Sequence, residues 1–468
     1  MQDDSIRPRR PLRYALVSLG CVKNLVDSER MAGLMEGEGF ERVEHPNGAD
    51  LALVNTCGFI GDARDESYGV IEEMADLKRR GRLGGIIVAG CLAELERARL
   101  LERFPEIDRA LGVFAREEVA QAARQVMAER RGEATPGAER LRVLPPPTEV
   151  LPDLHRARLT APHVAFIKIA EGCDRSCAFC TIPRIRGPYV SKPIEGVVAE
   201  AERLVADGAK ELVLVAQDTS RYGLDRYGRP RLAELLRRLD ELPGAAWIRV
   251  MYLYPTQFPD ELLDVLGAAR RVVPYLDLPL QHCNDEVLRR MRRGIDRAGT
   301  ERLLDRLRQR VEGLVLRTTL LAGFPGETPR QFDELVEFVR RWRFERMGAF
   351  AYSDEPGTPA QELDGHVAPD VARQRRDALL EAQQEIAFDF AERQIGRRVD
   401  VLVDRRLPGR PVSAIGRWYA DAPEIDAAVY LTGENLAAGQ MVPCEIVAAK
   451  GYDLVGVAVA ARHAAPRG

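Results

Sequence analysis

The sequence predicts an α/β protein: an N-terminal parallel sheet domain, a second block of parallel βα units closed or partly closed as a barrel, and a small C-terminal β-barrel. Three observations predict it. Apolar, β-branched stretches alternate with amphipathic helical stretches over most of the 468 residues, the pattern of βα units around parallel sheets. A proline-rich stretch, "LPPPTEVLPDLHRARLTAPH", interrupts the alternation and reads as an extended linker. After "DFAERQIG" the helical period gives way to short alternating strands with turn residues between them, as in a small barrel.

The elements follow in order. In the first block, residues 1–140, the strands "YALVSLGC", "ADLALVNTC" and "GGIIVAGC" are separated by helical segments such as "SERMAGLMEGEG" and "RDESYGVIEEMADLKRRG". The block ends in the charged "QAARQVMAERRGEATPGAER", and the linker takes 141–160. The second block, 161–392, opens with strand "HVAFIKIA", helix "IEGVVAEAERLVADGAK" and strand "ELVLVAQDTS". Further strands lie in "AAWIRVMYLYP", "VVPYLDLPLQH", "EGLVLRTTLLAGFPGE" and "ERMGAFAYSDEPGTP", with helices between them. Such repeated alternation argues for parallel units, whose sites gather at strand C-terminal ends. The long helix "DVARQRRDALLEAQQEIAFDFAERQIG" closes this block, and 393–463 supply the strands of the small barrel.

Composition narrows the function. A hydrophobic share of 46% supports folded cores. A net charge of −4 gives no overall basic footprint for nucleic acid. No apolar run reaches the roughly 20 residues that span a bilayer, and the N-terminus lacks the apolar core of a secretory leader. These features predict a cytoplasmic protein with no membrane partner. Thiols stay reduced there, so clustered cysteines serve metal or redox chemistry.

Three of the eight cysteines, Cys173, Cys177 and Cys180, sit in "GCDRSCAFC" directly after the strand "HVAFIKIA". Zinc takes four protein ligands, or three plus water, and no second C-x2-C pair or nearby His-x3-His follows. An iron–sulfur cluster normally takes four thiolates, so three leave one iron open to a non-protein ligand. The C-x3-C-x2-C spacing, with the aromatic Phe179 before the third cysteine, resembles the radical S-adenosylmethionine (SAM) superfamily. The resemblance implies a partial six-fold βα barrel and SAM at the open iron. It implies SAM-binding roles for "GFPGET", with Gly323, Gly326 and Glu327, and for "AQDTS", with Gln217 and Asp218. A plain tight turn and a helix cap are the structural alternatives at those two places. Gln281 and His282 stand at another strand end, while Cys283 and Cys444 read as small apolar residues.

Cys21, Cys57 and Cys91 end the three N-terminal strands, each beside a glycine. Consecutive βα units bring strand C-termini to one sheet edge, so these distant thiols are expected to converge on a second three-thiolate cluster. Asn24 and Asn55 are candidates to orient those sulfurs, or to cap helices and turns.

Together "SLGCVKNLVDSE", "NTCGFI", "AGC" and "EGCDRSCAFCTIP" resemble the methylthiotransferase family of radical-SAM enzymes. The resemblance extends over nearly the whole chain. It implies a cysteine-bearing N-terminal domain, a radical-SAM barrel and a C-terminal TRAM β-barrel that recognises substrate. It implies two 4Fe–4S clusters: an auxiliary one on Cys21, Cys57 and Cys91, and a radical-SAM one on Cys173, Cys177 and Cys180. SAM is then both radical source and methyl donor, and a reductase and a sulfur source are partners. The implied reaction functionalises an unactivated C–H bond, beyond the reach of a side-chain base at neutral pH.

The family has two main branches, one acting on a transfer-RNA adenosine and one on a ribosomal-protein aspartate. From Gly396 to Arg462, eight basic residues, Arg410 and Arg462 among them, balance eight acidic ones. Counterion release on RNA would contribute little there. "GRWYADAPEID" gathers Asp421, Glu424 and Asp426 beside Trp418, and an acidic loop suits a basic protein partner. "ADAPEID", "GCVKNLVDSE" and "MYLYP" resemble the branch whose target is the small-subunit ribosomal protein S-twelve, free or in the ribosome. The pair Trp418–Tyr419 departs from that branch and suits base stacking as well, so nucleic acid remains a secondary partner. The alternatives are a tRNA-adenosine methylthiotransferase and, more remotely, a non-catalytic iron–sulfur electron carrier or a zinc protein.

Overall fold

The computed structural model describes residues 10–133, 139–407 and 412–459. The first nine residues, the middle of the charged tail at 134–138, and Arg410 and Arg462 lie outside the described residues. The chain packs as two units. One comprises Met1–Leu159, Glu171–Asp174 and Thr181–Val190; the other comprises Thr160–Ala170, Arg175–Cys180 and Ser191–Gly468.

The first unit runs β1 (Arg13–Ser18), α1 (Val22–Gly37), β2 (Glu41–Val43), β3 (Leu51–Thr56), α2 (Gly61–Arg79), β4 (Gly85–Gly90), α3 (Cys91–Glu96), α4 (Ala98–Arg103), β5 (Arg109–Leu111), α5 (Val119–Arg130) and β6 (Leu141–Arg142). The strands pair in parallel in the order β2-β1-β3-β4-β5-β6. β3 and β4 are buried along their whole length, as strands covered on both faces are. Leu51, Leu53 and Ile87 pack with residues of α1 and α5, whereas Ala52, Val54, Ile86 and Val88 pack with α2 and α4. Successive residues thus serve opposite layers. β6 falls inside the stretch read as linker: Leu141 pairs with Ala110, so the first linker residues extend the sheet.

Next come β7 (Val164–Lys168), the short β8 (Ala170–Glu171), α6 (Ile182–Arg186) and the short β9 (Val190–Ser191). Then follow α7 (Ile194–Ala206), β10 (Glu211–Val215), α8 (Leu224–Tyr227), α9 (Leu232–Asp240), β11 (Trp247–Val250), α10 (Asp260–Ala268) and β12 (Val272–Asp277). The region ends with α11 (Asp285–Arg290), α12 (Arg297–Arg310), β13 (Val315–Ala322), α13 (Pro329–Trp342), β14 (Arg346–Ala351) and α14 (Pro369–Glu392). In the second unit β7 and β10 to β14 pair in parallel in chain order. β7 and β14 are the two edges, so the sheet is the open, partial form of a βα barrel. The chain finishes in a closed barrel, β15-β16-β17-β19-β18, built from β15 (Arg398–Arg406), β16 (Ala414–Arg417), β17 (Val429–Thr432), β18 (Met441–Lys450) and β19 (Asp453–Ala458). Among the described residues no helix is long and apolar enough to cross a membrane.

The small barrel packs in one unit with the parallel sheet, and buried charges join the two. Glu211, the first residue of β10, accepts from Arg249 Nε at 2.8 Å and from Arg417 Nη1 at 2.6 Å. Arg417 also pairs with Asp404 at 2.9 Å, and Arg249 donates to the Tyr419 carbonyl at 2.8 Å. Arg346, which opens β14, donates to Asp421 at 3.1 Å, and Tyr275 Oη donates to Asp426 at 2.6 Å. Glu211, Arg249 and Asp421 have no exposed surface. Because Glu211 and Arg346 start their strands, this network lies toward the end of the sheet opposite the loops that follow the strands.

That placement corrects part of the expected substrate-recognition set. Trp418 is buried and stacks on Phe390 of α14, with ring centroids 6.1 Å apart. Asp421 and Asp426 are spent on arginine and tyrosine partners of the parallel sheet. Only Glu424 of the four is exposed. A run of acids looks the same in sequence whether it faces water or arginines on distant strands.

Candidate active site

The N-terminal thiols are placed by strand register. Ser18 of β1 lies beside Asn55 of β3, and Thr56 of β3 beside Gly90 of β4. Cys21 caps the start of α1, Cys57 follows β3 directly, and Cys91 is the first residue of α3. All three therefore stand at neighbouring C-terminal ends. The glycines make the approach possible. A methyl on Gly20, at φ +85°, would sit 2.7 Å from Cys57 Cβ and 2.9 Å from its sulfur. One on Gly90, at φ +95°, would sit 2.3 Å from Asn55 Oδ1. Both positions require the left-handed freedom of glycine.

Asn24 and Asn55 bind the loops that carry the thiols. Asn24 Nδ2 donates to the Leu19 carbonyl at 2.7 Å and the Thr56 carbonyl at 3.3 Å, joining the Cys21 and Cys57 loops. Asn55 Nδ2 donates to the Asn24 carbonyl at 2.9 Å and to Ser28 Oγ at 2.8 Å. Ser67 of α2 holds Cys57 by both backbone groups, at 3.1 and 2.9 Å.

Sequence reasoning missed Arg186. Its side chain is 1% exposed. Nη1 donates to Glu171 at 2.9 Å, and Nη2 lies 3.0 Å from Asp27, 3.5 Å from Asn24 Oδ1 and 3.6 Å from Cys91 Sγ. Arg116 joins the same carboxylates, at 2.9 Å from Asp27 and 3.4 Å from Glu171. Only nearness to the second cysteine motif could have flagged Arg186; a long-range ion pair leaves no local pattern.

These surroundings set the thiol chemistry. Burial pushes Cys91 up to about 12, with Arg186 working the other way. Burial also raises Cys57. Cys21 is exposed by surface area yet crowded by protein atoms; that crowding opposes ionisation, but Lys23, Arg186 and backbone N–H groups outweigh it and hold the thiol below its ordinary value.

The second trio follows β7. Cys173 N–H donates to the Gly187 carbonyl at 3.1 Å, within the first unit. Within the second unit, Cys177 Sγ lies 3.3 Å from Arg293 Nη1 and 3.7 Å from Tyr254 Oη. Tyr254 donates to the Arg293 carbonyl at 2.8 Å, and its ring carries Arg175 and Arg293, each 4.0 Å from the centroid. Arg175 in turn binds Asp218 at 2.7 Å and Thr256 Oγ1 at 3.0 Å.

The remaining expected SAM contacts are engaged within the protein. Phe179 packs edge-on against Phe324 of the "GFPGET" loop, with centroids 6.3 Å apart. Gly323 and Gly326 both have positive φ, but their open sides face Ala372 of α14 and the Arg290 side chain. A side chain at either position would collide with those groups, so the loop's close packing requires glycine at both. Glu327 is buried, accepts from Arg375 at 2.7 Å and from Gly323 N–H at 3.0 Å, and lies 3.5 Å from His282. It braces the loop. Asp218 is buried and caps the turn at Ser220 N–H, at 3.0 Å, besides binding Arg175. Gln217 is half-buried at the same strand end.

The donor sets suit anionic iron–sulfur clusters. Each trio has a buried guanidinium within 3.6 Å of one of its sulfurs, Arg186 at Cys91 and Arg293 at Cys177. Among the described residues no three His, Cys, Asp or Glu side chains converge tightly enough for a single ion; a multi-iron cluster spreads its thiolates wider than one ion does.

Three family models match the chain: residues 13–112 fit Uncharacterized protein family UPF0004, 167–339 the Radical SAM superfamily and 395–459 the TRAM domain. The chain is 42% identical over 448 residues to the ribosomal protein uS12 methylthiotransferase RimO of Lachnoclostridium phytofermentans, covering 96% of this chain and 100% of that one. It is 44% identical over 449 residues to the protein of the same name from Anaeromyxobacter sp. strain K, covering 96% and 93%. Among solved structures, the radical SAM methyltransferase TsrM from Kitasatospora setae superposes with a TM-score of 0.54 at 18% identity, covering 75% of this chain and 77% of that chain. That likeness shows the fold alone. Identity of this order over the full length of the relatives places the chain without ambiguity: it belongs to the uS12 methylthiotransferase family of radical-SAM enzymes.

Proposed function

We propose that this chain attaches a methylthio group to the β-carbon of an aspartate in small-subunit ribosomal protein uS12. The observation that carries the reading is the meeting of Cys21, Cys57 and Cys91 at neighbouring parallel strand ends, in a chain that also bears a C-x3-C-x2-C loop after β7. Cys173, Cys177 and Cys180 would hold the radical-SAM cluster, and Cys21, Cys57 and Cys91 the auxiliary cluster. When bound, these groups and SAM supply the one-electron, sulfur and methyl chemistry that no amino-acid side chain provides.

The chain's own share is positioning and exclusion. Asn24 and Ser67 fix the Cys21 and Cys57 loops, and Arg186 fixes Cys91. Arg293 holds Cys177 by a buried N–H donor, with Tyr254 stacked between two arginines to keep that donor aimed. Preorganised donors of this kind cost no reorganisation during reaction. The buried Phe324, flanked edge-on by the half-buried Phe179 and Tyr352, backs the loop and limits water there. Gln217 and the backbone of the "GFPGET" loop are the groups proposed to meet SAM.

A reductase and a sulfur donor complete the set of partners, and a ribosomal substrate puts the enzyme in the cytoplasm. The test is mass spectrometry of uS12 from cells with and without this gene. Gain of one methylthio group on an aspartate only when the gene is present supports the proposal; the same modification appearing on transfer-RNA adenosine instead overturns it.

A further inference from the structure

We propose that Arg186 is a positioning residue that fixes Cys91 and tunes the potential of the cluster held by Cys21, Cys57 and Cys91. The inference rests on the assignment of that cluster to those three thiols.

Arg186 is fully enclosed, and its guanidinium is held at both ends. Nη1 is bound to Glu171 and Nη2 to Asp27, at 2.9 and 3.0 Å. A planar fork held this way cannot turn aside, so Nη2 stays aimed at Cys91 Sγ at 3.6 Å. The carboxylates are anchored in their turn by Arg116. The arrangement is a buried and a half-buried arginine against two buried carboxylates with one thiol at its edge. A purely structural ion cluster would gain nothing from placing a thiol there. Hydrogen bonds to the sulfurs of a cluster raise its reduction potential, and outer partners of ligands tune metal sites generally.

The chain path adds a second consequence. Glu171 stands two residues before Cys173, and Arg186 six residues after Cys180. Their ion pair therefore closes the stretch that bears the second trio. Next to Arg186, the Gly187 carbonyl accepts the Cys173 N–H. One arginine thus touches a sulfur of the first trio and ties off the loop of the second.

The experiment uses the full chain with Cys173, Cys177 and Cys180 changed to alanine, so that only the N-terminal cluster gives a signal. Arginine is labelled with nitrogen-15, the cluster is reconstituted anaerobically, and pulsed paramagnetic resonance and a redox titration are recorded with Arg186, Arg186→Lys and Arg186→Gln. We expect an arginine nitrogen coupling to the reduced cluster that vanishes in both variants. The potential should become more negative in Arg186→Gln at unchanged iron content. If a variant loses its iron, the coupling in the Arg186 protein alone decides the matter. A cluster present without that coupling, or with an unshifted potential in Arg186→Gln, overturns this inference and leaves the cysteine assignment standing. No cluster at all with Arg186 in place overturns both.

Discussion

Arg417, at the end of β16, donates to Glu211, at the start of β10, across 2.6 Å, and both side chains are buried. The two residues are far apart in the chain and belong to the small barrel and the parallel sheet. Glu211 is also held by Arg249, so its charge is divided between two arginines. The joint is therefore part of the fold of the second unit.

Breaking that joint is expected to be costly. Glu211→Ala leaves Arg249 and Arg417 buried without their shared partner, and removing one member of a buried pair costs about 3–5 kcal/mol. Chemical denaturation should show this loss, and limited proteolysis should cut near Arg393–Arg397 sooner than in the wild type. An unchanged midpoint would show that the pair contributes nothing.

The same joint predicts a pH dependence. Burial, partly opposed by Arg346, pushes Asp421 up to about 6. Between about pH 4, the ordinary value for aspartate, and 6, the folded state keeps a proton that the unfolded chain has released. Ionising Asp421 therefore costs stability as pH rises through that window. Glu211 and Asp404 behave oppositely: burial would raise them, but arginines outweigh it, with His163 the foremost partner of Asp404, and hold both low. Their support is present above the ordinary carboxylate range and is lost as pH falls. Urea titrations of wild type and Asp421→Asn across pH 4–8 isolate the first effect. The wild-type advantage should shrink between pH 4 and 6 and stay level above; a constant difference would refute the assignment.

Gly20→Ala should damage the N-terminal site alone. The added methyl meets Cys57 at 2.7 Å in a backbone conformation of φ +85°, which costs an L-residue roughly 1–2 kcal/mol before the clash is counted. Iron per chain after reconstitution should fall by about half, while SAM cleavage to 5′-deoxyadenosine persists. Full iron loading would show that the trio tolerates a wider spacing.

Cys177→Ala and Cys57→Ala should separate the two trios. The first removes the thiol bound by Arg293 and should abolish 5′-deoxyadenosine formation. The second should leave that formation within a few-fold of wild type and yield no methylthio product. Chromatography of 5′-deoxyadenosine reads the first and mass spectrometry of uS12 the second, and equal loss of both in the two variants would deny separate roles.

Much of this was legible in the sequence, and what was not has a common cause. Cys21, Cys57 and Cys91 stood out because each follows an apolar run and adjoins a glycine, and Cys173, Cys177 and Cys180 because of their close spacing. The six strands of the second parallel sheet were legible from their apolar runs. Arg186, Arg116, Asp27 and Glu171 were hidden because pairing between distant charges has no period. Trp418, Asp421 and Asp426 were misread because their partners, Phe390, Arg346 and Tyr275, lie on other elements. β6 was missed because a two-residue edge strand carries no alternation.

The most direct test offers purified, reconstituted enzyme both uS12 and transfer RNA in one anaerobic vessel with SAM, reductant and a sulfide source. Mass spectrometry should find the methylthio group on an aspartate of uS12 with the unaltered chain, and on neither substrate with Cys57→Ala. Methylthiolated transfer RNA, or modified uS12 made by Cys57→Ala, would contradict a two-trio enzyme acting on a ribosomal protein.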